Sequence, residues 1–202
     1  EYNTDIRDTN GVTETNNAKD HMYLKDINAA KKAYYQFVTS GEKSFIDAAY
    51  EVAVKRRVIQ VFTAGNRSFM AESFTRAALP YFRPDAEKYW INVTGQNGTA
   101  GYPNGSNRSG QVSDAQRFNL AGHSKWWTIA APAAEVYSST VDLKTKQASY
   151  ASWGGTSMAA PHVSGALGVI FQRYPYMSAA QVRDTMLTTA RQRTLRAGHG
   201  SG

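Results

Sequence analysis

No cysteine occurs among the 202 residues, which excludes a disulfide scaffold, a thiol nucleophile and a zinc–thiolate centre. No apolar run reaches the roughly 20 residues that a bilayer-spanning helix needs, so no membrane span is expected in this chain. Residue 1 does not open a signal peptide. Glu1 stands where an initiator Met would, and the chain reads as a mature or excised piece. Acidic residues are also scarce, 16 against 23 Lys and Arg, leaving a net charge of +7. Such a charge raises the question of nucleic acid. Its densest spots, Arg56-Arg57 and the stretch from Arg191 to Arg196, do not alternate with aromatic residues as a stacking platform would. The charge is therefore read as solubility and a general attraction to acidic surfaces, with no nucleic-acid partner. A dense run of Asp ligands, the usual mark of a calcium loop, is missing as well.

With 42% hydrophobic residues, the length suits one domain, 1–202, with a real core. Residues 1 to 28 are polar and rich in Asn, Thr and Asp, and are read as loop or weakly ordered surface. A helix is predicted over Ala29 to Val38. A second opens at Ser44, with Asp47 favourable in its first turn and Phe45, Ala48, Ala49 and Val52 on one face. The run Val58-Ile59-Gln60-Val61-Phe62-Thr63 is short, β-rich and mostly apolar, as a strand covered on both faces should be. Trp90 to Thr94 and Thr128 to Ala131 repeat that pattern. Between them, Gly95 to Gly110 is too polar for a core and is read as surface loops. Two helices close the chain, one from Ser157 to about Arg173 and one from the capping box Ser178-Ala179-Ala180-Gln181 to Ala190. The tail 191–202 reads as loop or poorly ordered chain, with Gly198 to Gly202 a linker or a truncation point. The fold class is α/β, a largely parallel sheet flanked by helices.

The most informative string is Gly155-Thr156-Ser157-Met158-Ala159-Ala160-Pro161-His162-Val163. Gly154 and Gly155 let the backbone turn sharply, and Ser157 follows in the first turn of an apolar helix. Free N–H groups and the positive end of the helix dipole there favour developing negative charge. A nucleophilic hydroxyl would be placed so for attack on a carbonyl. The second signal is Phe62-Thr63-Ala64-Gly65-Asn66, at the C-terminal end of a predicted strand, where open α/β sheets bind ligands. Asn66 has a donor amide to aim at an oxyanion, and Ala64-Gly65 would leave an open wall for substrate.

Together the two strings resemble the nucleophile and oxyanion motifs of the subtilisin-like serine proteases. Lys88 to Gly95, Phe118 to Gly122 and Ile129 to Pro132 resemble the family segments between them. The stretches Trp127 to Pro132 and Phe171 to Pro175 look most like the subtilase passengers of Gram-negative autotransporters. The resemblance covers roughly residues 45 to 190. It implies a serine endopeptidase with Ser157 as nucleophile and Asn66 as side-chain donor of the oxyanion hole, the Ser157 N–H being the second donor. It implies that Thr63, Ala64 and Gly65 line the substrate pocket, that proteins or peptides are the substrates, and that the enzyme is secreted or held at a bacterial surface. No cofactor is required. Structural calcium is common in the family but nothing in this sequence indicates it.

The family triad runs Asp, His, Ser, with the His in a His-Gly-Thr type motif, and no such motif is present. His162 falls inside the serine motif at a structural position of the family; His123 and His199 follow Asn66, the wrong order. His21 is followed by Met22-Tyr23 where Gly and Thr should stand, and Asp8 lies close before it. The expectation is therefore the C-terminal portion of a subtilase catalytic domain, lacking the N-terminal part of the fold, with the base and its orienting Asp on an upstream segment. By that reading the chain alone is inactive. The alternative is a non-catalytic peptide-binding fragment or pseudoprotease module.

Overall fold

The computed structural model describes residues 45–66, 73–74, 76–96 and 118–190. The predicted helix Ala29 to Val38, the segment 1–28, His21, Asp8 and the tail 191–202 lie outside these residues. Three strands, β1 (Gln60–Thr63), β2 (Trp90–Gln96) and β3 (Thr128–Pro132), form a parallel sheet in the order β1-β2-β3. Val61 faces Ile91 in the first pair and Val93 faces Ile129 in the second. A separate antiparallel hairpin is made of β4 (Val136–Val141) and β5 (Ala148–Trp153). Among the described residues three α-helices accompany them: α1 (Phe45–Arg56), α2 (Thr156–Arg173) and α3 (Ala179–Thr189).

β2 is central and buried over its first six residues, so its side chains separate two cores. Trp90 joins Ile46, Ala49 and Ala53 of α1 with Leu79, Phe82, Tyr89 and Trp127. Ile91 and Val93 point the other way and meet Ala159, Val163 and Leu167 of α2 with Val182 and Met186 of α3. Period-two alternation thus sends successive residues of one strand to opposite layers. By contrast β1, an edge strand among the described residues, is only half-buried, so the expectation of cover on both faces fails there. α1 matches its expected face at Ala49 and departs from it at Ala48 and Val52. Ala48 and Val52 are exposed and Ile46, Ala49 and Ala53 are buried. The helix carries small or apolar residues on two adjoining stripes, and packing onto Trp90 and Tyr89 selects one of them.

α3 is capped as the sequence predicts: Gln181 N–H donates to Ser178 Oγ, and the Ser178 N–H donates to Gln181 Oε1 at 2.8 Å. α2 is more demanding. Its stripe of Ala159, Val163 and Leu167 is buried, yet Val169 remains 65% and Phe171 39% exposed. A Cβ added at Gly165 or Gly168 would meet nothing within 4 Å. Among the described residues the sheet and Val182 and Met186 of α3 cover one side of α2, while Val169 and Phe171 stay bare.

The hairpin has its own closure. Asp142 Oδ1 accepts the N–H of Lys144 at 2.8 Å and of Thr145 at 3.0 Å, while the Asp142 N–H donates to Gln147 O. The Thr145 N–H, then that of Lys144, holds the Asp142 carboxyl below its ordinary pKa. A lowered folded-state pKa means that this stabilisation is complete above the unfolded carboxylate pKa and fades as pH falls through the folded one. Hydrogen exchange at Lys144 and Thr145 should therefore quicken, relative to the rest of the hairpin, as the solution is acidified through and below the usual Asp range. In Asp142→Ala the two amides should be unprotected at every pH. Equal protection in both proteins would refute this account of the turn.

Candidate active site

Asn66 sits just past the end of β1, and three backbone hydrogen bonds hold the residues before it. The Ala64 N–H donates to Val93 O at 2.8 Å, extending the β1–β2 ladder by one residue. Ala64 O accepts from the Phe74 N–H and Gly65 O from the Asn119 N–H, at 2.9 and 3.0 Å. Gly65 has φ +116°, a conformation that side chains rarely adopt. A Cβ there would also lie 2.6 Å from the Phe74 ring and 2.7 Å from Asn119 Nδ2. Ala64 and Gly65 therefore turn into packed surroundings; the open wall expected from their small size is occupied by Phe74 and Asn119. Thr63 is half-buried. None of these three lines either of the two cavities described below, in contrast to Asn66 and Ser157.

The serine arrives from the hairpin. β5 ends at Trp153, and Gly155 takes φ +146° and ψ 162° before α2 begins at Thr156. That backbone region is almost confined to glycine. Glycine also leaves room: an added Cβ would be 3.2 Å from Asn66 Nδ2. The Gly155 N–H donates to Ala133 O at 2.7 Å, tying the turn to the end of β3. Pro161, inside α2, lacks an N–H and removes the helical bond to the Ser157 carbonyl four residues earlier.

Thr156 joins the two motifs across 90 residues of sequence. Its N–H and its hydroxyl both donate to Asn66 Oδ1, at 2.7 and 2.9 Å. The oxygen of the Asn66 amide is thereby committed, which fixes the side chain's orientation and leaves Nδ2 with its donors unengaged among the described residues. The Ser157 N–H and Oγ likewise have no hydrogen-bond partner among the described residues. Ser157 and Asn66 are exposed while Thr156 is buried. Two unengaged donors beside an accessible hydroxyl can stabilise negative charge developing on a carbonyl oxygen. Thr156 belongs to the serine motif, yet its clamp on Asn66 was not legible in one dimension.

Two cavities flank this turn, with Trp153 in the wall of both. One, of about 360 Å³, is lined by Asn66, Phe118, Glu135, Ser152, Gly154 and Gly155 as well. The other, about 620 Å³, lies between β4 and the start of α2 and includes Tyr137, Ser157, Met158, Pro161 and His162. His162 uses Nδ1 on Met158 O at 2.7 Å, one helical turn back. His123 packs edge-on against Tyr81 with ring centroids 5.2 Å apart. Neither described histidine is hydrogen-bonded to Ser157. No group of three or more His, Asp or Glu that could hold a metal ion occurs among the described residues.

Replacing Thr156 by Val keeps the N–H bond to Asn66 and deletes the hydroxyl bond. Stability should fall by about 0.5–1.5 kcal/mol, and the Asn66 side-chain amide resonances should broaden or exchange faster with solvent. Thr156→Ser should restore both. Indistinguishable amide signals in the Val variant and the wild type would rule out the clamp.

Known proteins resemble this chain in sequence and in fold. The profile of the Subtilase family (Peptidase_S8) matches residues 11–202. The chain is 30% identical over 184 residues to serotype-specific antigen 1 of Mannheimia haemolytica, covering 90% of this chain and 18% of that protein. It is 28% identical over 176 residues to an extracellular serine protease of Serratia marcescens, covering 77% and 15%. The Neisserial autotransporter lipoprotein NalP of Neisseria meningitidis is 30% identical over 148 residues, covering 67% and 12%. The chain thus spans less than a fifth of the length of these three relatives. Among solved structures, the patellamide maturation protease PatA superposes with a TM-score of 0.56 at 17% identity, over 85% of this chain and 61% of that one. The prenylagaramide maturation protease PagA gives 0.55 at 16%, over 82% and 58%. At those identities the likeness concerns the fold, which is the subtilisin-like α/β fold. With the fold, the motif order and the family profile in agreement, the chain belongs to the subtilase family.

Proposed function

We propose that the chain carries the nucleophile and the oxyanion hole of a serine endopeptidase, and that the general base comes from a segment outside residues 45–190. The observation that carries the reading is the clamp of Thr156 on Asn66 Oδ1, which leaves Asn66 Nδ2 and the Ser157 N–H unengaged beside the Ser157 hydroxyl.

In the reaction, Ser157 Oγ attacks the scissile carbonyl carbon and its proton passes to the base. The carbonyl oxygen becomes an oxyanion and accepts from Asn66 Nδ2 and the Ser157 N–H. Collapse expels the amine, protonated by the same base, and leaves an acyl ester on Ser157. Water, deprotonated by the base, then hydrolyses the ester. Without the base the hydroxyl is a poor nucleophile at neutral pH, so the chain by itself should show only the weak catalysis that an oxyanion hole and binding provide.

The supplying segment is proposed to lie upstream in the family order Asp, His, Ser, and to dock where α2 is bare. Gly165 and Gly168 leave space there, and Val169 and Phe171 present apolar surface. The larger cavity, which Ser157 and His162 share, would receive the imidazole. The substrates are proteins or peptides, and the site of action is outside the cell or at its surface. That location is supported by the names of the relatives from Serratia and Neisseria. No described helix is long and apolar enough to cross a membrane. One observation favours a second reading, a peptide-binding module without turnover: no described histidine touches Ser157 Oγ.

In the chain completed by its upstream segment, Asn66→Ala should lower kcat by about 10²–10³-fold, or about 2.7–4 kcal/mol, with KM little changed. Ser157→Ala should abolish turnover while peptides still bind. Peptidase activity that survives Ser157→Ala would exclude the mechanism. Binding by every variant with turnover by none would favour the module.

A further inference from the structure

Among the described residues that line the smaller cavity, Glu135 is the single ionisable one. We infer that the Glu135 carboxylate selects substrates bearing Lys or Arg in a residue immediately flanking the scissile bond. The inference rests on the endopeptidase reading and names its substrate class.

The cavity begins at Asn66 and Gly155, where the scissile carbonyl oxygen must lie, so an extended peptide held there directs a neighbouring side chain into it. Gly154 and Gly155 contribute backbone alone to its rim. Phe118, nearly fully buried, forms an apolar floor, and Trp153 and Ser152 form a wall. About 360 Å³ is at the small end of ligand sites and suits one long side chain rather than a whole ligand. Apolar walls with one charged group at the edge match the anatomy of Lys and Arg, an aliphatic stem with a cationic head.

Glu135 is also held in an unusual way. Its φ is +54°, uncommon for a residue with a side chain. It sits in the turn between β3 and β4. That turn is anchored two residues earlier, where Ala133 O accepts from the Gly155 N–H at 2.7 Å and the Ala133 N–H donates to Gln96 O at 3.2 Å. One hydrogen bond therefore couples the turn presenting the carboxylate to the glycine that packs against Asn66. No ion pair or hydrogen bond engages the Glu135 carboxylate among the described residues. In a chain with net charge +7, an exposed glutamate with no ion pair among the described residues, lining a substrate-sized cavity, is a local reversal of sign. A bound ammonium or guanidinium would provide its counter-charge.

The test uses pairs of internally quenched peptides that differ only in Lys against norleucine, placed on the acyl side or on the leaving-group side of the cleaved bond. With the chain completed by its upstream segment, kcat/KM should favour Lys about tenfold at one of the two positions. In Glu135→Gln the Lys-to-norleucine ratio should fall to near unity, and in Glu135→Lys a Glu-bearing peptide should overtake the Lys-bearing one. Unchanged ratios in both variants would overturn the inference while leaving the endopeptidase reading intact. Calorimetry on the Ser157→Ala chain measures the same ratios without turnover. A Glu135-dependent preference in binding, with no cleavage by the unmodified serine, would overturn the endopeptidase reading and with it selection at a scissile bond, leaving Glu135 as a Lys- or Arg-binding group. Failure to bind or cleave any of the peptides would overturn both.

Discussion

One oxygen atom, Asn66 Oδ1, accepts two hydrogen bonds from one residue, the N–H and the hydroxyl of Thr156. The chemistry of the site depends on that pair. It joins the loop after β1 to the first residue of α2, and so brings Asn66 beside Ser157 although the two are remote in sequence. It also settles which end of the amide is free. With the oxygen committed, only the NH₂ group remains to donate, whereas a rotating Asn would present donor and acceptor with comparable ease. A pre-oriented dipole needs no reorganisation when charge develops, which is why such donors contribute so much to acyl transfer.

The remainder of the fold holds the two ends of that clamp still. Asn66 is positioned by β1–β2 pairing, extended through Ala64, and by the bonds of Ala64 and Gly65 to Phe74 and Asn119. Thr94 Oγ1 donates to Asn119 O at 2.6 Å, so the buried face of β2 supports the same loop from below. Ser157 is positioned by the burial of Ala159, Val163 and Leu167 against the sheet and by the bond from Gly155 to Ala133. These contacts fix Asn66 and Ser157, the proposed oxyanion donor and nucleophile; among the described residues they bring no histidine onto Ser157. The exposed Val169 and Phe171 of α2 are where the proposed base-bearing segment would dock.

Elements with a strong local pattern were readable from sequence. The capping box at Ser178 and Gln181, the buried run from Trp90, and the glycine-led serine string each carry their signal within a few residues. The hairpin β4–β5 was not readable, because Ser, Thr, Tyr and Ala alternate there with no clear apolar face. The buried stripe of α1 was misassigned because two neighbouring stripes are about equally apolar and only Trp90 and Tyr89 distinguish them. At Ala64-Gly65 small size was read as open space, when it reflects the close approach of Phe74 and Asn119. The roles of Thr156 and Glu135 depend on partners 90 residues away or on a cavity wall, neither of which any local pattern encodes.

Labelling of Ser157 by a serine-directed phosphonate, followed by intact mass, tests most directly the claim that this is half of a catalytic site awaiting its base. The account predicts a single adduct on Ser157 when the chain is combined with its upstream segment, and almost none on the chain alone. Equally rapid labelling of the chain alone would contradict it, since a base would then already be present within these 202 residues.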